Sequence, residues 1–298
     1  MTTLIRQSYG KHRVRFSKIK RSSSSVQTGE RHDFVEASVD VELEGDFATA
    51  YTDGDNRLVV ATDTCRNTIY VLAKDDPIES IESFGITVVS HFLKQYAHVN
   101  RVTVSISQQV WHRMLDSDHG FIGNDRQTPT ATLIGSHLPD GKLALQITSG
   151  IKNCMIAKTT ESGFSDFHRD EFRTLPDVDD RILATVMTAA WDYAPLERLL
   201  DESSAPAIPF NDCREKIHGA MLTTFLNHYS RSVQETLYLM ATAALKACAE
   251  ISSITLTMPN KHHIRFNLDP FGRANENEIF VVTDEPYGYI TATVGRGE

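Results

Sequence analysis

Residues 34–44, FVEASVDVELE, alternate apolar and polar side chains almost without interruption. Side chains change face every residue along a β-strand, so this segment is predicted to be a half-buried antiparallel strand. A shorter alternating run, RVRFS, lies upstream at residues 13–17. The serines at residues 22–25, between the two runs, are typical of a hairpin tip. The chain is therefore predicted to begin with a long β-hairpin.

Downstream of this hairpin, the period of the apolar residues changes. Ile81, Phe84, Val88 and Phe92 recur at spacings of three and four, which predicts an amphipathic helix. An earlier helix is predicted to follow Asp63, with a break between the two helices at Pro77. Alternation then returns in three segments, which predict three further strands: residues 102–106, 130–134 and 143–147.

The second half of the chain repeats this order of elements. We predict two strands, two helices and two more strands, at residues 154–159, 181–193, 211–229, 232–249, 254–258 and 264–268. Helices segregated on antiparallel sheets define an α+β fold, and the repetition indicates two tandem domains. The turn Pro139-Asp140-Gly141 places the predicted boundary, which gives domains at residues 1–140 and 141–298. The polar residues 201–204, DESS, are predicted to be a loop.

Composition limits the classes of partner and compartment. The 298 residues carry a formal net charge of −9, which does not attract nucleic acid or anionic membrane surfaces. No apolar stretch reaches the length of a membrane span, and the basic N-terminus lacks the apolar core of a signal peptide. The four cysteines are far apart and match no zinc-binding spacing, so we expect idle reduced thiols in an intracellular protein.

Common catalytic motifs are absent from the sequence, but two helix starts carry polar side chains of interest. No Walker loop, strand-linked GxGxxG, HExxH or GxSxG occurs. The sequence SVQE at residues 232–235 matches a capping box, which places Gln234 beside the free N–H groups of a helix start. Asp63 is predicted to cap the first helix in the same manner. His262 and His263 are neighbours that point to opposite faces of a strand, so they cannot share one metal.

Several short segments together resemble one family, the urate oxidases. In chain order they are YGK (9–11), VATD (60–63), NTIY (67–70), RDE (169–171), DRIL (180–183), SVQ (232–234) and LTMPNKH (256–262). The resemblance spans nearly the whole chain. It implies two tandem tunnelling-fold (T-fold) domains, whose antiparallel sheets are backed by helices and assemble into a barrel. It also implies a homotetramer with active sites at subunit interfaces.

The resemblance assigns substrate-binding roles residue by residue. It implies that Phe164 stacks on the purine ring, while Arg181 and Gln234 grip its opposite edges. Arginine offers a planar fork of donors, and glutamine offers both a donor and an acceptor, which suits the adjacent carbonyl and N–H groups of urate. The remaining residues of the implied binding site are Thr62, Asp63, Leu175, Ser232, Val233 and Asn260, with Thr62 and Asp63 supplied by the neighbouring chain.

Catalytic roles also follow from the resemblance. Lys11, Thr62 and His262 are similar to the family's proton relay, and Thr62 with Asn260 resembles its dioxygen and water site. The implied reaction is oxidation of urate by dioxygen and water to 5-hydroxyisourate and hydrogen peroxide, with no cofactor and no metal. The C-terminal residues 295–298, GRGE, lack a peroxisomal signal, which favours a cytoplasmic and bacterial protein.

Two other functions remain as alternatives. A pterin-handling enzyme of the same fold would have the same order of strands and helices, although such enzymes typically anchor the base with a glutamate where this chain has Gln234. A purine-binding module without turnover would need Phe164 and Arg181 but no proton relay. Lys11, Thr62 and Asn260 therefore favour catalysis over binding alone.

Overall fold

A computed structural model describes residues 2–21, 31–199 and 208–297. The predicted hairpin tip at residues 22–25 and the predicted loop at residues 201–204 lie outside the described residues. The elements, in chain order, are β1 (Tyr9–Lys20), β2 (Asp33–Gly45), α1 (Ala48–Thr52), α2 (Thr62–Asp75), α3 (Ile81–Gln95), β3 (Val99–Arg113), β4 (Phe121–Asn124), β5 (Thr128–His137), β6 (Lys142–Lys158), β7 (Leu183–Tyr193), β8 (Leu196–Leu199), α4 (Phe210–Leu226), α5 (Val233–Ala247), β9 (Ile251–Thr257), β10 (Asn260–Arg265), β11 (Phe280–Gly288) and β12 (Thr291–Gly295).

The chain divides into two compact units. The first comprises Met1–Gly150 with Asp192–Asn211, and the second comprises Ile151–Trp191 with Asp212–Glu298. The strand β6 begins in the first unit and ends in the second. A domain boundary at residue 140 stays a prediction.

The sheet of the first unit has the order β1-β2-β3-β5-β6, with β4 on β3 and β8 on β6. The alternation in β2 is confirmed: Val39, Val41 and Leu43 are fully buried, and the intervening acidic residues are only partly so. The pairs β1·β2, β2·β3 and β3·β5 are all antiparallel, as expected for a sheet with one covered face.

Two helices cover this sheet, since α2 contacts β1 and α3 contacts β3 and β5. Ser80 caps α3 by accepting a hydrogen bond from the backbone N–H of Ser83 at 3.0 Å. Three fully buried side chains, Ile69, Phe84 and Phe92, come from these helices. Burial of each such side chain contributes about 1.5–3 kcal/mol.

The prediction that Asp63 caps α2 was wrong. The helix begins at Thr62, and its N-cap is Ala61, which has no side-chain acceptor. Asp63 instead lies within the first turn, where it pairs with Arg66 at 2.5 Å and accepts from Asn67 at 3.0 Å. Its carboxylate still lies at the positive end of the helix dipole, which favours negative charge.

The sheet of the second unit runs from the end of β6 through β7 and β10 to β11, and β9 pairs with both β7 and β12. The helix α5 contacts β9 and β12. Its buried face, which includes Leu237, Met240 and Ala241, repeats at helical spacing as predicted. The two last strands of the chain, β11 (residues 280–288) and β12 (residues 291–295), were not predicted.

The expected α+β class is confirmed, with helices laid on antiparallel sheets. Within the described residues, no helix is both long and apolar enough to cross a membrane. The candidate residues for chemistry lie at three kinds of position: near the ends of strands, in the segment between β6 and β7, and at the starts of α2 and α5.

Candidate functional site

Lys11 lies on β1 immediately before an irregularity in the β1·β2 ladder. The register shifts between Lys11 and Val14, and Arg13 takes a left-handed conformation with φ of 56°. The backbone N–H of Arg13 donates to Asp40 at 2.6 Å, which supports this strained position. Gly10 is needed beside it, because a Cβ at Gly10 would lie 1.8 Å from the Val41 carbonyl oxygen. Bulges of this kind commonly re-aim a side chain near functional sites.

The strand β1 also holds both ends of α2. The backbone N–H of Val60, two residues before the helix, donates to the Tyr9 hydroxyl oxygen at 2.7 Å. At the other end, Lys18 Nζ donates to the carbonyl oxygens of Ala73 at 2.9 Å and Asp76 at 2.5 Å. A lysine at these positions satisfies carbonyls that a helix leaves unpaired at its C-terminus. The strand that carries Lys11 therefore fixes the helix that begins at Thr62.

Lys11 is carried by the strand that is attached to the start of α2. Its ammonium group acts electrostatically on Cys65, a fully buried residue of that turn. Burial raises the pKa of the Cys65 thiol to about 11, and the charge of Lys11 opposes this shift. Thr62 and Asp63 are exposed at the start of the same turn. The structure thus places Lys11 on β1 and Thr62 and Asp63 at the start of α2, which β1 holds through Tyr9.

In the second unit, a short segment at residues 161–164 contains Phe164 and binds Arg181. Phe164 pairs with Val178, donating from its backbone N–H at 2.7 Å and accepting at 2.9 Å. The Phe164 ring stacks on Phe167, with centroids 4.4 Å apart and an interplanar angle of 16°. The guanidinium carbon of Arg173 lies 5.5 Å from the Phe164 centroid. These contacts hold the ring in a fixed orientation.

Arg181 is held through its backbone and the inner nitrogen of its guanidinium. Its backbone N–H donates to Ser162 at 2.8 Å, and Nε donates to the Gly163 carbonyl oxygen at 2.9 Å. Burial lowers the pKa of Arg181, and the nearby Tyr229 opposes this shift. Within the part of the chain that the structure describes, no hydrogen bond uses the two terminal nitrogens. The donors that remain are those that grip a planar ligand edge.

Ser232 caps α5, which confirms half of the predicted capping box. Its hydroxyl oxygen accepts from the backbone N–H of Glu235 at 3.1 Å. The other half is wrong, because the Glu235 carboxylate accepts from the backbone N–H of Arg231 at 3.2 Å rather than from that of Ser232. The Arg231 side chain also forms an ion pair with Glu235 and draws the carboxylate one residue upstream. Gln234 is exposed in the first turn, and Val233 before it is buried.

Hydrogen bonds join this helix start to the segment of Phe164 and Arg181. The backbone N–H of Gly163 donates to the Ser230 carbonyl oxygen at 2.9 Å, and that of Ser230 donates to Glu161 at 2.8 Å. The Ser230 hydroxyl lies 2.6 Å from that of Thr236, which lies 3.1 Å from His228 Nε2. Phe164, Arg181 and the SVQ segment thus form one connected group. Leu175 lies in the loop between Phe164 and Arg181 and is 59% exposed.

Asn260 and His262 lie on β10. Asn260 pairs with Thr185 on β7, and its side-chain oxygen Oδ1 is buried. Among the described residues, neither Asn260 Oδ1 nor the Thr185 hydroxyl has a hydrogen-bond partner. Buried polar atoms are normally satisfied, so this pair is suited to hold a small polar molecule. His262 is half-buried and pairs with Thr283 on β11, beyond a register shift in the ladder.

Two residues important for this geometry were given no role from the sequence. Tyr9 lies in the YGK segment that resembles the family, but its hydroxyl group anchors the start of α2, which the segment alone did not predict. Gly163 must lack a side chain, since a Cβ there would lie 2.3 Å from the Tyr229 hydroxyl oxygen. A glycine directly before Phe164 was the available signal, because an isolated glycine often marks a close backbone approach.

Solved structures share this architecture. The crystal structure of uricase from Arthrobacter globiformis superimposes with a TM-score of 0.89 and 35% identity, over 99% of this chain and 96% of that one. Urate oxidase from Bacillus sp. TB-90 matches with a TM-score of 0.81 at 22% identity, which shows the fold alone. The fold is therefore that of a protein with two tandem T-fold domains.

Sequence comparison gives the family. A sequence model of the family described as Uricase matches residues 7–134 and 147–291. The curated uricase of Arthrobacter globiformis is 36% identical, over 97% of this chain and 88% of the relative. The uricase of Dictyostelium discoideum is 34% identical, over 99% of this chain and 98% of the relative. The chain belongs to the uricase family.

Proposed function

We propose that this chain catalyses the oxidation of urate by dioxygen and water to 5-hydroxyisourate and hydrogen peroxide. Atoms balance in this reaction, since urate, dioxygen and water together yield the two products. Membership of the family supports the activity. The observation in the structure that best supports it is the conformation of Arg181. Its guanidinium is anchored through Nε, which leaves its two terminal nitrogens to donate to a ligand, and Phe164, next in sequence to its anchor Gly163, has a fixed ring orientation.

Substrate recognition rests on the group around residues 161–164. Arg181 would donate to adjacent acceptors on one edge of urate, since its fork matches a planar bidentate partner. Gln234 would bind the opposite edge, with the backbone N–H groups of the α5 start close by. Phe164 would stack on the ring, which contributes affinity without selecting among purines. Leu175, Ser232 and Val233 complete the proposed pocket.

Proton transfer is assigned to Lys11, Thr62 and His262. The Thr62 hydroxyl can both donate and accept, so it can pass a proton between Lys11 and urate or water. Tyr9, on the same strand as Lys11, anchors the backbone two residues before Thr62, which supports a proton path between Lys11 and Thr62. Asp63, in the same turn, would orient the bound substrate. Loss of a proton makes urate electron-rich, and the anion then reduces dioxygen.

Dioxygen, and later water, would bind at Asn260 and Thr62. The buried Asn260 Oδ1, which has no partner among the described residues, supports this proposal for Asn260. A water molecule there would donate to Oδ1 and be oriented for addition to the oxidised ring. The reaction as proposed uses no metal and no cofactor.

The proposed active form is a homotetramer with active sites at subunit interfaces. Exposed apolar side chains on β10 and β11 support association with further copies, because Ile264 is 56% exposed and its cross-strand partner Val281 is 43% exposed. Thr62 and Asp63 of one chain would then serve urate that is bound to Arg181 and Gln234 of its neighbour. Lys11 would come from the same chain as Thr62, since the strand that carries Lys11 is attached to the start of α2.

The activity is tested by incubating chelator-treated protein with urate in air while urate absorbance and peroxide are followed together. We expect one peroxide for each urate lost. Arg181→Lys keeps the charge but removes the fork and should raise KM strongly, whereas Arg126→Lys, at an exposed arginine, should not. A strict requirement for added metal or flavin would contradict the cofactor-free reaction, and no urate loss would contradict the activity.

The shared site is tested by complementation. Lys11→Ala and Arg181→Ala chains are each expected to be nearly inactive alone. If one chain supplies Lys11 and the other supplies Arg181, a mixed pair has one intact site of two. When the two variants pair at random after co-expression, about half of the pairs are mixed. About a quarter of the wild-type activity is then restored. No recovery in assemblies shown to be mixed would contradict a site shared between chains.

A cytoplasmic location stays a prediction, to be checked by fractionation of the source cells.

A further inference from the structure

Two cysteines and a glutamate that are distant in sequence meet in the second unit. Cys213 is in the first turn of α4, Cys248 is the C-cap of α5, and Glu250 precedes β9. One ligand-forming atom from each residue lies within 4.8 Å of the other two. Cys248 Sγ donates to a Glu250 carboxylate oxygen at 3.2 Å. This arrangement joins three elements at one point.

Burial distinguishes this cluster from a chance contact at the surface. Cys213 is fully buried and Cys248 is 1% exposed, while Glu250 is only partly buried. The thiols are thus enclosed by protein, and the carboxylate lies toward the solvent, where an ion could enter.

We propose that Cys213, Cys248 and Glu250 form a binding site for a thiolate-preferring divalent cation, with Zn²⁺ as the representative ion. Zinc takes four tetrahedral ligands, with Zn–S near 2.3 Å and Zn–O near 2.0–2.2 Å, which places ligand atoms about 3.5–4 Å apart. In the cluster all three ligand atoms lie within 4.8 Å of one another, and Cys248 Sγ lies 3.2 Å from Glu250, so small side-chain movements would bring them to this spacing. Two sulfur ligands disfavour magnesium and calcium, and water would supply the fourth ligand.

Lys216 is the competing charge at this site. Its ammonium group acts electrostatically on both Cys213 and Glu250 and lowers the pKa of each. Lys216 is exposed, so its side chain can turn away from a bound cation. Asp212 also acts on Cys213, with the opposite sign.

The site is remote from the proposed urate-binding residues of the same unit. Gln234 and Cys248 lie at opposite ends of α5, separated by roughly 21 Å at a rise of about 1.5 Å per residue. At the Cys248 end, Arg296 donates to the carbonyl oxygens of Leu245 at 2.6 Å and Cys248 at 2.8 Å. A bound ion would add to this attachment and hold α4, α5 and β9 together, so we expect an effect on stability and none on the chemistry of urate.

The test uses the full-length protein, stripped of metal with a chelator and kept reduced with a phosphine so that no disulfide forms. We expect one Co²⁺ bound per chain, with thiolate-to-cobalt absorbance that Zn²⁺ removes. Cys213→Ser and Cys248→Ser should each abolish this absorbance. Cys154→Ser, which alters a buried cysteine outside the cluster, should retain it. Zn²⁺ should also raise the Tm of the wild type and of Cys154→Ser only.

Further variants keep the proposal testable if the cysteine variants fail to fold. Glu250→Gln leaves both thiols in place and should weaken Co²⁺ binding at least about tenfold, because a neutral amide oxygen replaces a charged ligand. Absence of stoichiometric binding by the reduced wild type would overturn the site. Unchanged binding in the Glu250 and cysteine variants would do the same. Metal binding is measured without urate, so the result is independent of the proposed activity.

Discussion

Tyr9→Phe isolates the contact that fixes the start of α2. The Tyr9 ring packs edge-on against Phe47, with centroids 4.8 Å apart and an interplanar angle of 82°, and phenylalanine can keep this packing. The substitution removes the hydroxyl oxygen that accepts from the Val60 N–H at 2.7 Å. Since Val60 is only 7% exposed, water cannot readily replace that acceptor.

The cost follows from the unpaired Val60 N–H. A typical hydrogen bond contributes about 0.5–1.5 kcal/mol net, and a buried donor left without a partner costs about 1–3 kcal/mol. We expect Tyr9→Phe to lower the free energy of unfolding by about 1–2 kcal/mol. Looser attachment of Thr62 should also lower kcat by up to about tenfold, with a smaller change in KM, because Thr62 is proposed to transfer protons.

The assay combines urea unfolding at one fixed protein concentration with steady-state urate oxidation. Tyr51→Phe is the matched control, because the Tyr51 hydroxyl is exposed and donates to the Ser8 carbonyl oxygen at 3.3 Å. The control should change stability by less than about 0.5 kcal/mol. Burial raises the pKa of Tyr9 to about 12, so its hydroxyl group stays protonated across the assay range. If Tyr9→Phe behaves like the control in both measurements, Tyr9 does not position α2.

Three further predictions concern the two helix starts. Lys11→Ala and Thr62→Ala should be strongly non-additive in kcat, and a double variant equal to the product of the single effects would contradict a joint relay. Ser232→Ala should destabilise the chain by about 1 kcal/mol in urea unfolding, because the Glu235 N–H loses its acceptor. The Arg231 side chain lowers the pKa of Glu235, so this pair stabilises the fold above the ordinary glutamate pKa. That contribution is lost as pH falls through the folded-state value, and Glu235→Gln should remove this part of the acid dependence of Tm.

The fold could be predicted where burial imposes a strict period. The alternation of residues 34–44 and the helical spacing of residues 81–92 both follow from one covered face, and both are confirmed. The strand at residues 280–288 was missed because most of its side chains are exposed and no face has a clear period. Five-residue α1 is too short to show helical periodicity.

The site was less accessible to pattern alone. The segments that resemble the family indicate which residues matter, but their individual roles stay proposals. Two capping predictions were wrong for local reasons. The helix α2 begins one residue before Asp63, and the Glu235 carboxylate binds the Arg231 N–H in place of the Ser232 N–H. Cys213 and Cys248 come together only because the fold brings the start of α4 close to the end of α5. No spacing rule could reveal that contact.

The attachment of α2 to β1 at both ends has a consequence for the entropy of the reaction. Tyr9 and Lys18 restrain the helix against its strand, which limits the relative motion of Lys11 and Thr62. Their mutual orientation is then set when the chain folds, and little conformational freedom is left to lose when urate binds. The proposed relay would be preorganised in this way, which raises the fraction of encounters that lead to reaction, in the same sense as a high effective molarity between two groups on one small molecule.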